Sequence, residues 1–230
     1  MLDLSFLPEL HHKFYNGQDA LKPIPEDLDR IYTIIRNGPN IRTALEFGAG
    51  YSTFVIAKAL QENAIDFQKR VDAGEKINED TVTIKTHFGF RCYTVEQDRA
   101  WLRKIRDARP EDMDNVSLFS SDCYAGTFNG QLCSYYDNLP NIIPDFIYLD
   151  APDSYYTAGK VNGLSFNSCL STVERDAMSA DILLMEPSLF PGAVILVDGR
   201  MLNTTFLINN LKRNWTNLTG EDYAVLRLWE

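Results

Sequence analysis

Hydrophobic positions along this chain follow two alternating rhythms. Between Pro25 and Asn37, Leu28, Ile31, Ile34 and Ile35 recur at the spacing of one helix face, and Gly38-Pro39 ends the run. Thr43 to Phe47 then reads as a short strand, and Ser52 to about Asn63 as an apolar helix. The exchange repeats downstream. Arg91 to Val95 is strand-like, Asp98 is placed to cap a helix reaching about Ala108, and Val116 to Ser120 is a strand. Phe146 to Leu149 is apolar throughout, as a parallel strand covered on both faces must be. A helix over Glu174 to about Met185, a strand over Ala193 to Val197 and a helix over Met201 to Arg213 follow. A turn at Asn217 to Gly220 then leads into a last strand, Tyr223 to Trp229. Such alternation predicts an α/β fold: a doubly wound, mostly parallel sheet as the middle of three layers, with helices on both faces. The turn-rich approach to the last strand predicts a closing hairpin.

Three stretches stand outside the rhythm. Residues 66–89 separate a helix from the next strand by more than a loop, and read as an insertion, a small hairpin or lid, with Thr81 to Ile84 alternating like a strand. Asp122 to Pro144 and Ala151 to Asn167 read as long loops, each following a strand. Loops at the carboxyl ends of parallel strands are where open α/β sheets bind ligands.

A chain of 230 residues with 45% hydrophobic and 23% charged residues predicts one soluble domain spanning 1–230, with an N-terminal helical arm over about residues 1–38. The net charge of −10 disfavours nucleic acid as a partner, because phosphate binding needs a cationic surface. The basic run from Trp101 to Arg109 reads as the solvated face of one helix. Neither a membrane span nor a signal peptide is expected. Cys92, Cys123, Cys133 and Cys169 lack metal-ligand spacing, so no zinc site is expected. Reduced, buried thiols point to a cytoplasmic location.

The chemistry concentrates at strand ends. In Thr43 to Thr53 (Thr-Ala-Leu-Glu-Phe-Gly-Ala-Gly-Tyr-Ser-Thr), a strand ends in Glu46, and Gly48 and Gly50 permit a sharp turn and close approach of a ligand. Ser52 or Thr53 is placed to cap the following helix. A Gly-x-Gly-x-x-Gly loop would suit a pyrophosphate, but Thr53 stands where the third glycine belongs, which argues against a nicotinamide-dependent oxidoreductase. A carboxylate at this strand end suits a cationic ligand with an amino group. Glu96, Asp122, Asp150 and Asp198 recur at or just beyond later strand ends. Together with Glu46 they would line one edge of the sheet with carboxylates.

Leu-Glu-Phe-Gly-Ala-Gly-Tyr-Ser-Thr, Tyr-Thr-Val-Glu-Gln-Asp, Ser-Ser-Asp-Cys, Asp-Phe-Ile-Tyr-Leu-Asp and Val-Ile-Leu-Val-Asp-Gly, in that order, resemble the motifs of class I S-adenosylmethionine-dependent methyltransferases over about residues 40–230. The resemblance implies about seven strands, the C-terminal one antiparallel, and S-adenosylmethionine (SAM) as cofactor. It implies that Glu46, Gly48, Gly50 and Ser52 hold the methionine moiety and that Glu96 binds both ribose hydroxyls. Asp122 would sit near the adenine amino group, and Asp150 would face the methionine amine or the reacting centre.

For the acceptor, Asp150-Ala151-Pro152-Asp153 lacks the Asp/Asn-Pro-Pro-aromatic motif of nucleic-acid amino methylation. A small molecule, methylated at oxygen, is the expected substrate; the alternative is a non-catalytic SAM-binding protein of the same fold. Metal is not expected; were a divalent ion held, Asp150 and Asp198 would hold it, since Gly199 replaces the pair's second acid. Asp150 is the catalytic candidate, with Asp153, His11, His12 and His87 as other candidate bases. Arg200 is placed to grip an acidic substrate group, and Tyr155 and Tyr156 to wall the pocket or pack their loop. In this family, aromatic arms such as Phe6 to Tyr15 cover the active site or mediate a homodimer.

Overall fold

The computed structural model describes residues 5–15, 22–38, 40–75, 89–171 and 175–229. Helices α1 (Leu7–Tyr15) and α2 (Pro25–Asn37) precede β1 (Thr43–Phe47), α3 (Tyr51–Asp72), β2 (Arg91–Glu96), α4 (Arg99–Ala108) and β3 (Val116–Ser120). Then come β4 (Cys123–Phe128), β5 (Gln131–Tyr136), β6 (Phe146–Leu149), β7 (Thr157–Ala158) and α5 (Asp181–Met185). The chain closes with β8 (Val194–Asp198), α6 (Met201–Asn210), β9 (Trp215–Thr219) and β10 (Tyr223–Leu228). The main sheet has seven strands in the order β3-β2-β1-β6-β8-β10-β9, with β10 antiparallel to both neighbours. This is the expected α/β architecture.

Period-two alternation divides the core. Leu45, Phe47, Ile147, Leu149, Ile195 and Val197 face one side, against Phe206 and Leu207 of α6, Ile182 of α5 and Tyr136 of β5. Ala44, Phe146, Tyr148, Val194 and Leu196 face the other, beneath α1, α2, α3 and α4. The parallel pairs align Glu46 with Thr94, Glu96 with Ser120, and Leu149 with Val197, so the ends of β1, β2, β6 and β8 form one rim.

Several boundaries differ from the sequence reading. Helix α3 continues past Asn63 to Asp72, because its polar second half docks on α2. Arg36 donates to Asn63 Oδ1 (2.5 Å) and Asp66 Oδ2 (2.6 Å), and Tyr32 bonds Glu62. The expected strand at Thr81 to Ile84 lies outside the described residues. Much of the stretch expected as a loop from Asp122 is the β4–β5 hairpin, turned by Asn129 (φ 49°) and Gly130 (φ 76°), both in the left-handed region that an Asn-Gly hairpin turn requires. With β7 it forms a second, three-stranded sheet.

The expected helix from Glu174 survives only from Asp181; Glu174 itself lies outside the described residues. Backbone groups of Met178 and Ala180 bond Ser134 of β5 instead of building helical turns. Helix α6 stops at Asn210, not Arg213, because the N–H groups of Lys212 and Arg213 turn to the buried carboxylate of Glu186, at 2.8 Å each. Trp215 Nε1 donates to the same group at 2.9 Å. Asn217 to Thr219, read as a turn, pairs with β10 as part of β9. No helix among the described residues is long and apolar enough to cross a membrane.

Glu186 therefore joins the end of α6 to the start of β9. Replacing it with alanine leaves these N–H donors without their acceptor and should cost about 2 kcal/mol. Urea denaturation checks this: the midpoint falls with the slope retained.

Candidate functional site

The rim of the sheet opens into a cleft of about 710 Å³, within the range of small-molecule sites. Its floor is the turn after β1. Gly48 has φ +93°, and a Cβ there would lie 3.2 Å from the Ala151 Cβ, so conformation and space both call for glycine. Around Gly50 a Cβ would meet only the Ser52 Oγ, at 3.8 Å, leaving the backbone approachable.

Glu46 does not line this cleft. Its side chain is fully buried, and its carboxylate accepts from Ser52 Oγ (2.5 Å), Thr53 Oγ1 (2.7 Å) and Thr94 Oγ1 (2.6 Å). Thr53 Oγ1 also accepts the Gly50 N–H at 3.1 Å, so the cap expected of Ser52 or Thr53 is made by Thr53 reaching back. Burial pushes the Glu46 carboxyl up to about 7 against the opposing pull of the hydroxyls. Glu46 shapes the turn; Gly48, Gly50 and Ser52 present it to the cleft.

Glu96 and Asp150 do line the cleft. Glu96 accepts the Ala49 N–H at 2.9 Å and the Asp98 N–H at 2.7 Å, one on each oxygen, which locks the carboxylate beside the glycine turn. Asp98, as expected, caps α4 by accepting from Ala100 and Trp101. Asp150 is reached by solvent through the cleft yet backed by protein. Its carboxyl is pushed up to about 7, first by this confinement and then by the nearby charge of Asp198. Asp198 accepts from Tyr148 Oη at 2.6 Å and lies 3.9 Å from Arg30. Among the described residues, no group of three or more His, Cys, Asp or Glu side chains stands in metal-holding geometry.

Other expected residues fall elsewhere. Asp122 is exposed, pairs with Arg99 at 3.4 Å and does not line the cleft. β4 begins at Cys123 and carries the chain away into the second sheet. Arg200 is also absent from the main cleft; its guanidinium donates to the backbone carbonyls of Pro152 and Ala177. His11 bonds Tyr51 Oη through Nδ1 at 2.6 Å, His12 is exposed, and His87 lies outside the described residues. Asp153 and Tyr156 line the cleft, while Tyr155 is 67% exposed and packs edge-on against Tyr156. Cys92, Cys123 and Cys133 are buried thiols, Cys169 is partly covered, and none of the four forms a disulfide among the described residues.

Residues not singled out in the sequence complete the walls. The segment after β6 passes the end of β2, where the Asp153 N–H bonds Gln97 Oε1 at 2.7 Å, and then joins β4 through β7. Gln97 carried one signal: it directly follows Glu96. Tyr148 carried another, being two residues before Asp150 and so on the same side of the strand. Trp101 and Lys104 belong to the run read as a solvated helix face; they line the cleft while Arg103 and Arg106 stay solvated. Tyr15 of α1 packs on Trp101 and lines the cleft, as do Lys22, Ile24 and Asp27, so the N-terminal arm covers one side of the site.

No known family profile and no curated protein sequence matches this chain significantly. Solved structures do match. An O-methyltransferase from Bacillus cereus in complex with SAH superposes with a TM-score of 0.55 at 14% identity, covering 100% of this chain and 92% of that one. A SAH-bound methyltransferase from Podospora anserina gives 0.54 at 11% identity, covering 100% and 89%. An O-methyltransferase from Streptomyces achromogenes, involved in tomaymycin synthesis and in complex with SAM, gives 0.51 at 12% identity, covering 100% and 92%. At these identities the likeness establishes the fold, the Rossmann-like fold of the class I methyltransferases.

Glu46→Ala strands three hydroxyl groups at the turn and should cost about 3 kcal/mol, whereas Glu46→Gln keeps part of the network and costs less. The raised folded-state pKa means that the native state binds the extra proton, so Glu46 weakens stability as pH rises from its unfolded value through about 7. Denaturant titrations at pH 5 and 8 should therefore show Glu46→Gln gaining relative to wild type at the higher pH.

Proposed function

We propose that this chain transfers a methyl group from SAM to an oxygen of a small-molecule acceptor. The observation that carries the reading is the pairing, in one cleft, of a locked Glu96 beside the glycine turn with Asp150 across it. The donor set fits the cofactor. Glu96 retains lone pairs for two ribose hydroxyls while its backbone bonds hold it still. The backbone of Gly48 to Gly50 admits the methionine moiety, whose ammonium suits the acid-lined floor. When bound, SAM supplies a methyl group already activated on a sulfonium.

The protein's part is then positioning and proton handling. Asp150, half ionised near neutrality, is suited to accept the proton of an acceptor hydroxyl. Tyr148 and Arg30 hold Asp198 in place beside it. Among the described residues the lining carries six acids, Asp27, Glu96, Asp98, Asp150, Asp153 and Asp198, against two lysines, Lys22 and Lys104, which supports a small-molecule acceptor over a nucleic acid. The free buried thiols support a cytoplasmic location.

Calorimetry with S-adenosylhomocysteine (SAH) tests the cofactor reading. Wild type should bind, and Glu96→Ala should weaken binding by at least about tenfold, because the variant has no carboxylate for the ribose hydroxyls. Absence of wild-type binding at about millimolar ligand would sink the proposal. The role of Asp150 has a separate readout. With a turned-over hydroxyl acceptor, kcat/KM for SAM, which reports the cofactor-free enzyme, should rise through about pH 7 and level off above it. Asp150→Asn should lower the plateau by roughly a hundredfold or more. A variant with unchanged rate and pH profile would remove Asp150 from the chemistry.

A further inference from the structure

Gly48, Ala49 and Gly50 join β1 to α3 without helix or strand of their own. Two glycines in so short a stretch would leave its backbone free to take many shapes. Its N–H groups are all tied. Gly48 donates to the Val95 carbonyl at 2.9 Å, Ala49 to Glu96 Oε2 at 2.9 Å and Gly50 to Thr53 Oγ1 at 3.1 Å. The Ala49 carbonyl is tied as well: it accepts from Trp101 Nε1, on α4, at 2.6 Å. The peptide between Ala49 and Gly50 is thus gripped at both ends, at its oxygen by Trp101 and at its N–H by Thr53. Trp101 is itself held in place. Asp98 accepts its backbone N–H at 3.1 Å, and Phe14 and Tyr15 of α1 pack on its ring, with centroids 5.3 and 5.7 Å away. Indole has one N–H to give, and this one goes to the floor of the cleft that Trp101 also lines.

We propose that Trp101 is a positioning residue for the amino-acid end of the cofactor, its indole N–H fixing the Ala49–Gly50 peptide in the orientation that receives the methionine moiety. This rests on the reading that the glycine turn takes the methionine moiety and Glu96 the ribose. The two grips are separable, because they use different peptide units. Glu96 is held by the N–H groups of Ala49 and Asp98, and neither belongs to the Ala49–Gly50 peptide. Loss of the indole donor therefore frees the turn where the methionine moiety sits and leaves the ribose clamp in place. Phe14, buried and outside the cleft lining, supports the site through Trp101.

The test compares SAH with methylthioadenosine, which keeps the nucleoside and the sulfur but lacks the amino-acid chain. Calorimetry is run with both ligands on wild type and on Trp101→Phe. The variant keeps a ring for Phe14 and Tyr15 to pack on and removes the donor; circular dichroism confirms that it is folded. It should bind SAH about tenfold weaker than wild type, and methylthioadenosine within about twofold of wild type. A packing role alone would weaken both ligands alike or neither, and either result overturns the proposal. A second measurement uses the unaltered protein. In NMR of isotope-labelled indoles, the Trp101 N–H should resist exchange with solvent both in the free protein and in the SAH complex. Rapid exchange in the complex would mean that the bound state does without this bond, and would also overturn the proposal. Wild type that binds neither ligand brings down the cofactor reading together with this inference; wild type that binds both, with equal effects of Trp101→Phe on each, brings down this inference alone.

Discussion

The sealed carboxylate of Glu46 is the constraint on which the site depends. Three hydroxyls, from the first turn of α3 and from β2, converge on it. An ionisable group with no exposure to water persists only when its oxygens are matched by donors. Here the matching ties together three elements that would otherwise meet only through apolar contacts. Once Ser52 and Thr53 are drawn to Glu46, the start of α3 is pinned and the chain between Phe47 and Tyr51 has little freedom. It must turn through Gly48 in a conformation that other residues resist, and it exposes the Ala49 N–H to Glu96. A fully buried residue thus orients the open one.

The same logic decides which acids reach the cleft. Parallel register brings the ends of β1, β2, β6 and β8 level, so an acid at any of these ends arrives at the cleft or directly beneath it. Asp122 follows β3 at an equivalent place in sequence, yet the chain enters β4 at once, and pairing with β5 and β7 takes precedence. The segment after β6 then crosses toward this second sheet, held on the way by Gln97 and by Arg200. The hairpin covers one face of the main sheet and also anchors the wall that closes the cleft beside Glu96.

The sheet was legible because its strands are short apolar runs separated by well-punctuated helices, and because Glu46, Glu96, Asp150 and Asp198 stand at places where parallel strands end. Periodicity carries little information where polar groups hold the structure. The second half of α3 lacks an apolar stripe because Arg36 binds it to α2, and α6 is cut short by Glu186, far away in sequence. The β4–β5 hairpin had a local signal in Asn129-Gly130, outweighed by the polar composition around it. Of the site, the glycine turn and the carboxylate series could be read directly. Whether a given acid faces the cleft could not, because Glu46 and Glu96 have the same strand-end signature and differ only in what surrounds them.

That difference has a physical consequence for the cleft. Glu46 is sealed from solvent with three hydroxyls on its carboxylate, whereas Asp150 borders a partly open site, where confinement first and the charge of Asp198 second raise its carboxyl. A cationic ligand placed among these acids favours their ionised forms and pulls the Asp150 carboxyl back toward the ordinary range. Proton release and cation binding are therefore coupled at Asp150. A neutral ligand gains no such coupling, and an anionic one is opposed by it. The excess of acid along the lining thus acts as a filter on charge, working before any shape-specific contact is made.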